Sequence, residues 1–204
     1  MTTKAAGSAM LLAIVASSVS AQSYEQQYKR CLEGNSSQER IAACGAVISA
    51  NREPADRMAE VYLTRGIDQR RFGQNDAALR DYGQAIRLNP ASSDAFNSRC
   101  YLFGITGRLQ EAIKDCNEAL RLDARNQYAY DSRAFAYLKL GMLDAAIADY
   151  NAALAIEPDR PYSIAGRGFA NRRKGDVAGG DADIANARAK VPGIAEEFAR
   201  YGVK

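Results

Sequence analysis

The chain has 204 residues, 47% hydrophobic and 25% charged, which excludes a disordered polymer and leaves room for one domain or one short array. A net charge of +3 with no long basic run gives no bulk attraction to nucleic acid. Histidine is absent, which removes the commonest general base and the commonest zinc ligand.

Residues 1–21 have the layout of a secretory signal. Lys4 supplies the positive start, Met10 to Ala16 the apolar run, and Val19-Ser20-Ala21 a small-residue cleavage site before Gln22. The run is short for a bilayer span. The first cysteine, Cys31, stands away from the cleavage site. Neither a retained anchor nor a lipoprotein is therefore predicted, and no stable membrane span after cleavage.

Residues 22–58 read as an irregular helical hairpin. Its first helix runs from Tyr24 to Glu33, with a turn at Gly34-Asn35-Ser36-Ser37. Its second runs from Gln38 to Ala50, with Ile41, Cys44, Val47 and Ile48 inward, and Glu53-Pro54 ends it.

From Ala59 the chain repeats every 34 residues without insertion or deletion, in units 59–92, 93–126, 127–160 and 161–193. A large column holds Tyr62, Phe96, Tyr130 and Ile164, and a small one Gly66, Cys100, Ala134 and Gly168. Gly73, Gly107, Gly141 and Gly175 mark the turn inside each unit. The second helix of each unit opens on Ala78, Ala112, Ala146 or Gly180. It continues through Tyr82, Cys116, Tyr150 or Ile184, then Ala85, Ala119, Ala153 or Ala187. Pro90, Ala124, Pro158 and Pro192 follow its end. Small residues let paired helices approach, and large ones fill the space between successive hairpins. The fourth unit is degenerate at Gly180 and Ile184. Residues 194–204 supply a final helix, Ile194 to Tyr201, predicted to cover the exposed end.

These columns resemble the tetratricopeptide repeat, a 34-residue helix–turn–helix unit. Tyr130, Ala134, Ala146, Tyr150, Ala153 and Pro158 stand where that family's signature puts them. The resemblance covers residues 59–192. It implies an all-α fold, a right-handed α-solenoid of helix–turn–helix repeats with a C-terminal capping helix.

It implies as well a non-enzymatic scaffold or adaptor whose first helices line a concave groove for a protein or peptide segment. Carried over by register, the groove positions are Leu63, Ile67, Arg70 and Arg71, then Asn97, Tyr101 and Ile105. Asp131, Phe135, Leu138 and Lys139 follow, then Phe169, Arg172 and Arg173. Ile67, Tyr101, Phe135 and Phe169 form a stripe that either receives a partner or packs against neighbouring first helices. With Arg70, Arg71, Lys139, Arg172 and Arg173 as a basic edge, the groove suits an amphipathic or mildly acidic segment. The family's lysine and asparagine clamp on a terminal carboxylate is missing, because Leu63, Ile67, Tyr101 and Asp131 occupy its places. A likeness to tetratricopeptide proteins of Gram-negative bacteria favours the periplasm over release from the cell. The alternative is a structural or self-associating envelope protein that uses its solenoid ends or convex face.

Two further columns repeat, Arg65, Arg99, Arg133, Arg167 and Asp81, Asp115, Asp149, Asp183. A matched acid in every unit favours structural ion pairs over an anion-binding ladder. Cys31 and Cys44 lie on the two helices of one hairpin, as do Cys100 and Cys116. An even count in an exported chain favours a disulfide within each pair over buried thiols. No phosphate-cradling loop, metal cluster or catalytic constellation is found, so no enzyme, cofactor or metal is predicted.

Overall fold

The computed structural model describes residues 23–203, so the signal expected at residues 1–21 lies outside the described residues. The chain divides into two compact units on either side of Asn89 and Pro90. The first holds α1 (residues 23–33), α2 (Ser37–Ala50), α3 (Ala55–Arg71) and α4 (Asn75–Leu88). The second holds α5 (Ser93–Thr106), α6 (Leu109–Leu122), α7 (Gln127–Leu140) and α8 (Leu143–Ile156). It continues with α9 (Pro161–Lys174), α10 (Val177–Lys190) and α11 (Ile194–Arg200). No strand occurs among the described residues. The architecture is an all-α solenoid of stacked hairpins.

Local chemistry sets the helix boundaries. Ser92 and Asn126 cap α5 and α7 by accepting from the amides of Ala95 and Ala129, and Pro161 opens α9. The turn glycines carry positive φ, from +71° at Gly73 to +106° at Gly175, where a side chain would clash. The next amide closes a Schellman bond, as in Met142 N–H to the Tyr137 carbonyl at 3.0 Å. Second helices end two residues before Pro90, Ala124, Pro158 and Pro192. α3 is different: it starts at Ala55, one turn ahead of the register that begins at Ala59. Nothing between Pro54 and Ala59 breaks a helix, and Met58, Ala59 and Val61 are buried, so the extra turn is packed.

Each repeated arginine forms a two-pronged pair with its aspartate, 16 residues on. Arg133 Nε and Nη2 lie 2.7 and 2.8 Å from the Asp149 oxygens, and Arg65, Arg99 and Arg167 repeat the geometry. The pairs join the first helix of a hairpin to its second. In the second unit, Arg133 and Arg167 use a further nitrogen to reach Asn117 and Asn151 of the preceding hairpin. The arginine column is structural. Disulfides Cys31–Cys44 and Cys100–Cys116 clasp two of the hairpins. A closed loop of such length is worth about 3 kcal/mol.

In the first unit, Asp68 is 1% exposed and accepts from Arg40 Nε at 2.7 Å, Arg40 Nη2 at 2.7 Å and Ser37 Oγ at 2.6 Å. Burial alone would raise its pKa, but the bonds from Arg40 and Ser37 outweigh burial and hold the carboxyl below its usual range. The core of the second unit joins Tyr150 and Leu154 of α8 to Ile164, Phe169 and Ile184, and on to Ile194, Phe198 and Val203. The Tyr150 ring lies so close to Gly166 that any β-carbon there would overlap it.

Two outcomes follow for denaturant unfolding. Gly166→Ala should cost about 1–3 kcal/mol through overpacking. Gly83→Ala, within α4 and with open space around its Cα, should gain about 0.5–1 kcal/mol. For Asp68, a folded pKa below the unfolded one means stability that is present above about pH 4 and lost as pH falls through the folded value. Asp68→Asn should therefore cost about 3 kcal/mol at neutral pH and much less in strong acid. A cost independent of pH would show that the carboxylate charge is not what stabilises α3.

Candidate peptide-binding groove

α7 packs beside α5 on one side and α9 on the other. Residues at one position per repeat, Tyr101, Phe135 and Phe169, therefore share one face of the second unit. In the first unit, α3 carries Leu63, Ile67 and Arg70, all half-buried, and the exposed Arg71, which donates to Asp68 at 3.1 Å.

The polar groove positions of the second unit are engaged within the chain. Asn97 Oδ1 accepts from Ser132 Oγ at 2.8 Å. Asp131 accepts from Arg160 Nε at 2.9 Å and Nη2 at 2.6 Å, and from Ser163 Oγ. Burial pushes the Asp131 carboxyl up, against the pull of Arg160 and Ser163. Lys139 Nζ donates to the Gly104 carbonyl at 2.9 Å and sits 5.5 Å from the Phe135 ring centre; burial lowers its pKa. Arg173 Nη1 donates to the Leu138 carbonyl at 2.7 Å, one repeat further on. Both cations thus tie a first helix to the carbonyl end of the preceding one, where the helix dipole favours positive charge. Arg172 pairs with Asp181 at 3.2 Å. Of the basic edge expected from the sequence, Lys139 and Arg173 hold successive repeats together, while Arg71 and Arg172 pair within their own helix or hairpin and stay half exposed or more.

Two of the apolar positions, Phe135 and Phe169, are covered by the chain's own C-terminal segment. α11 closes on α9 and α10 and also reaches the aromatic face. The Phe198 ring centre lies 5.1 Å from that of Phe169 and 5.9 Å from that of Phe135, and Tyr201 lies 6.1 Å from Phe135. Phe135 and Phe169 are consequently 8% and 7% exposed, and Leu138 is fully buried. The stripe neither stands open nor merely packs against first helices. Tyr101 and Ile105 remain half-buried on α5. Ile194, Phe198 and Tyr201, at spacings of four and three, were the available sign that α11 has one apolar face. Nothing local indicated that the face would meet Phe135.

One polar tie supplements the contact: Tyr162 donates to Glu197 Oε2 at 2.8 Å. Burial, then the bond to Glu197, push the Tyr162 phenol up to about 12. Among the described residues no group of three or more His, Cys, Asp or Glu is placed to hold a metal ion. Among those residues, too, no helix is long and apolar enough to cross a membrane.

Family models described as tetratricopeptide repeat match residues 63–129 and 127–160. No curated protein matches. Among solved structures, the chain is similar to MamA, residue 41 to the end, from Desulfovibrio magneticus RS-1, with 19% identity and a TM-score of 0.65. That alignment covers 87% of this chain and 96% of the other. The TPR domain of Arabidopsis OM64 aligns with 27% identity and a TM-score of 0.56, over 58% of this chain and 98% of that domain. The first TPR of Spaghetti, bound to the HSP90 peptide SRMEEVD, aligns with 23% identity and a TM-score of 0.55, over 57% of this chain and 93% of that one.

The geometry ranks the contacts that seat α11. Phe169→Ala should cost about 3–5 kcal/mol in denaturant unfolding. Tyr162→Phe, losing one exposed hydrogen bond, should cost no more than about 1 kcal/mol. A reversed order would mean that the polar tie, and not the aromatic face, holds the segment.

Proposed function

The chain belongs to the tetratricopeptide-repeat family, and from that premise we propose that it is a non-enzymatic scaffold that captures a protein segment on the aromatic face of its first helices. The observation that carries this reading is the alignment of Tyr101, Phe135 and Phe169 across α5, α7 and α9. Such a row sets apolar rings at the repeat spacing, the spacing that an extended or helical segment needs for successive anchors. The Spaghetti domain, of the same fold, is bound to a peptide. In this chain Tyr101 and Asp131 stand where a carboxylate clamp would be, and the Asp131 carboxyl is already committed to Arg160. The reading is therefore of an apolar-anchored segment and not of a terminal carboxylate.

The place of action is the cell envelope, with the periplasm first. Residues 1–21 carry the pattern of an export signal, and two disulfides are chemistry of an oxidising compartment. The partner is a protein or peptide, and no cofactor enters the reading.

In-cell crosslinking of the tagged full chain, followed by mass spectrometry, tests it. A variant with Tyr101→Ala and Arg172→Glu should lose about tenfold or more of a specific partner's yield while keeping its fold. Equal yields from both chains would reject the groove. Recovery of only further copies of the chain would favour the self-associating envelope protein instead.

A further inference from the structure

α11 is already seated on the aromatic face, and its chemistry is visible. It is seven residues long, too short to hold helical structure alone, so its order comes from the surface beneath it. Ile194 and Phe198 of α11, with Tyr201 at its C-cap, fall at i, i+4 and i+7, one side of a helix and its continuation. Phe198 touches Phe169 and Phe135, and the Tyr201 ring meets that of Phe135. Glu196 and Glu197 lie on the turn ahead of Phe198, and Glu197 reaches Tyr162. Only Val191, Pro192 and Gly193 join this segment to α10, a short link ending on a glycine. A second polar contact, between Arg188 and Glu196 at 4.0 Å, is long, with both side chains more than half exposed.

We infer that α11 is a built-in occupant of the binding face. The partner segment it stands in for is a short amphipathic helix with an aliphatic residue at i, phenylalanine at i+4, an aromatic residue at i+7 and acidic residues just before the phenylalanine. This inference rests on the groove reading above and adds the partner's chemistry and the competition. Binding requires α11 to lift from Phe135 and Phe169. The apparent affinity of the intact chain is then lower than that of the open face by the fraction of time α11 is lifted.

The test uses the full chain and a fluorescein-labelled peptide with the sequence of residues 191–204, VPGIAEEFARYGVK, read by fluorescence polarisation. Phe198→Ala weakens the occupant and leaves α7 and α9 untouched, so it should bind the peptide about tenfold or more tightly than wild type. Adding Phe135→Ala to that variant should abolish the gain. A folded Phe198→Ala chain that binds the peptide no better than wild type overturns the inference. Should that variant fail to fold, hydrogen exchange on the wild type decides. Amides of residues 194–203 exchanging about 100-fold or more faster than those of α7 and α9 would show the required local opening. Exchange at the same rate as α7 and α9 would overturn it. A dimer in which α11 crosses between copies, seen by sizing and crosslinking, would overturn it as well. The two readings fail separately. If partner capture is lost with Tyr101→Ala and Arg172→Glu yet unchanged by Phe198→Ala, the groove stands and the occupant falls. Peptide binding by Phe198→Ala, with cellular captures equal in all variants, would leave the occupant and remove the partner-capturing scaffold.

Discussion

A helix of 14 residues cannot bury its own apolar stripe, and every other feature of this protein follows from that constraint. Nucleating such a helix fixes more backbone than its first hydrogen bonds repay, so packing has to supply the stability. Pairing two helices at an alanine or glycine column buries one side of each. Stacking the next hairpin buries another, with Tyr82 and Tyr150 filling the space in their respective units. The stack must then end somewhere, and whatever covers its last apolar face is part of the fold.

Ion pairs take a secondary but orienting part. An arginine fork reaching its aspartate 16 residues on fixes the angle between the two helices of a hairpin, because both oxygens must meet both nitrogens. These pairs sit half-buried, where desolvation offsets much of the attraction. Their regularity contributes more to geometry than to net stability. Lys139 and Arg173 act between hairpins, each neutralising the carbonyl end of a neighbouring first helix. Cations on a groove edge can thus serve as internal scaffolding, as these two do.

The aromatic face of the second unit is covered by a segment of complementary chemistry. The cover is apolar where the face is apolar and has a carboxylate where Tyr162 offers a hydroxyl. A surface that sets apolar rings at the repeat spacing is suited to accepting a segment of its own chain, since the contacts are indifferent to covalent origin. The short link through Pro192 and Gly193 keeps that segment at high effective concentration.

The hairpins, their glycine turns and the arginine–aspartate pairs were legible in the sequence because each is a local or strictly periodic requirement. A positive φ asks for glycine at Gly141 whatever surrounds it, and a 34-residue register repeats the Arg133–Asp149 pairing, an arginine and the aspartate 16 residues on, in every unit. The apolar side of α11 was legible for the same reason, from the spacing of Ile194, Phe198 and Tyr201. What covers Phe135 was not. Phe198 is 63 residues away from it, outside the repeat, and periodicity records which side of a helix is apolar without recording which distant surface meets it. The engagement of Lys139 by the Gly104 carbonyl was equally hidden, since a backbone acceptor leaves no mark in a sequence. Only tertiary packing decided that the face carrying Phe135 and Phe169 is closed by the chain's own end, because that choice depends on how a short linker aims one apolar helix among several apolar surfaces.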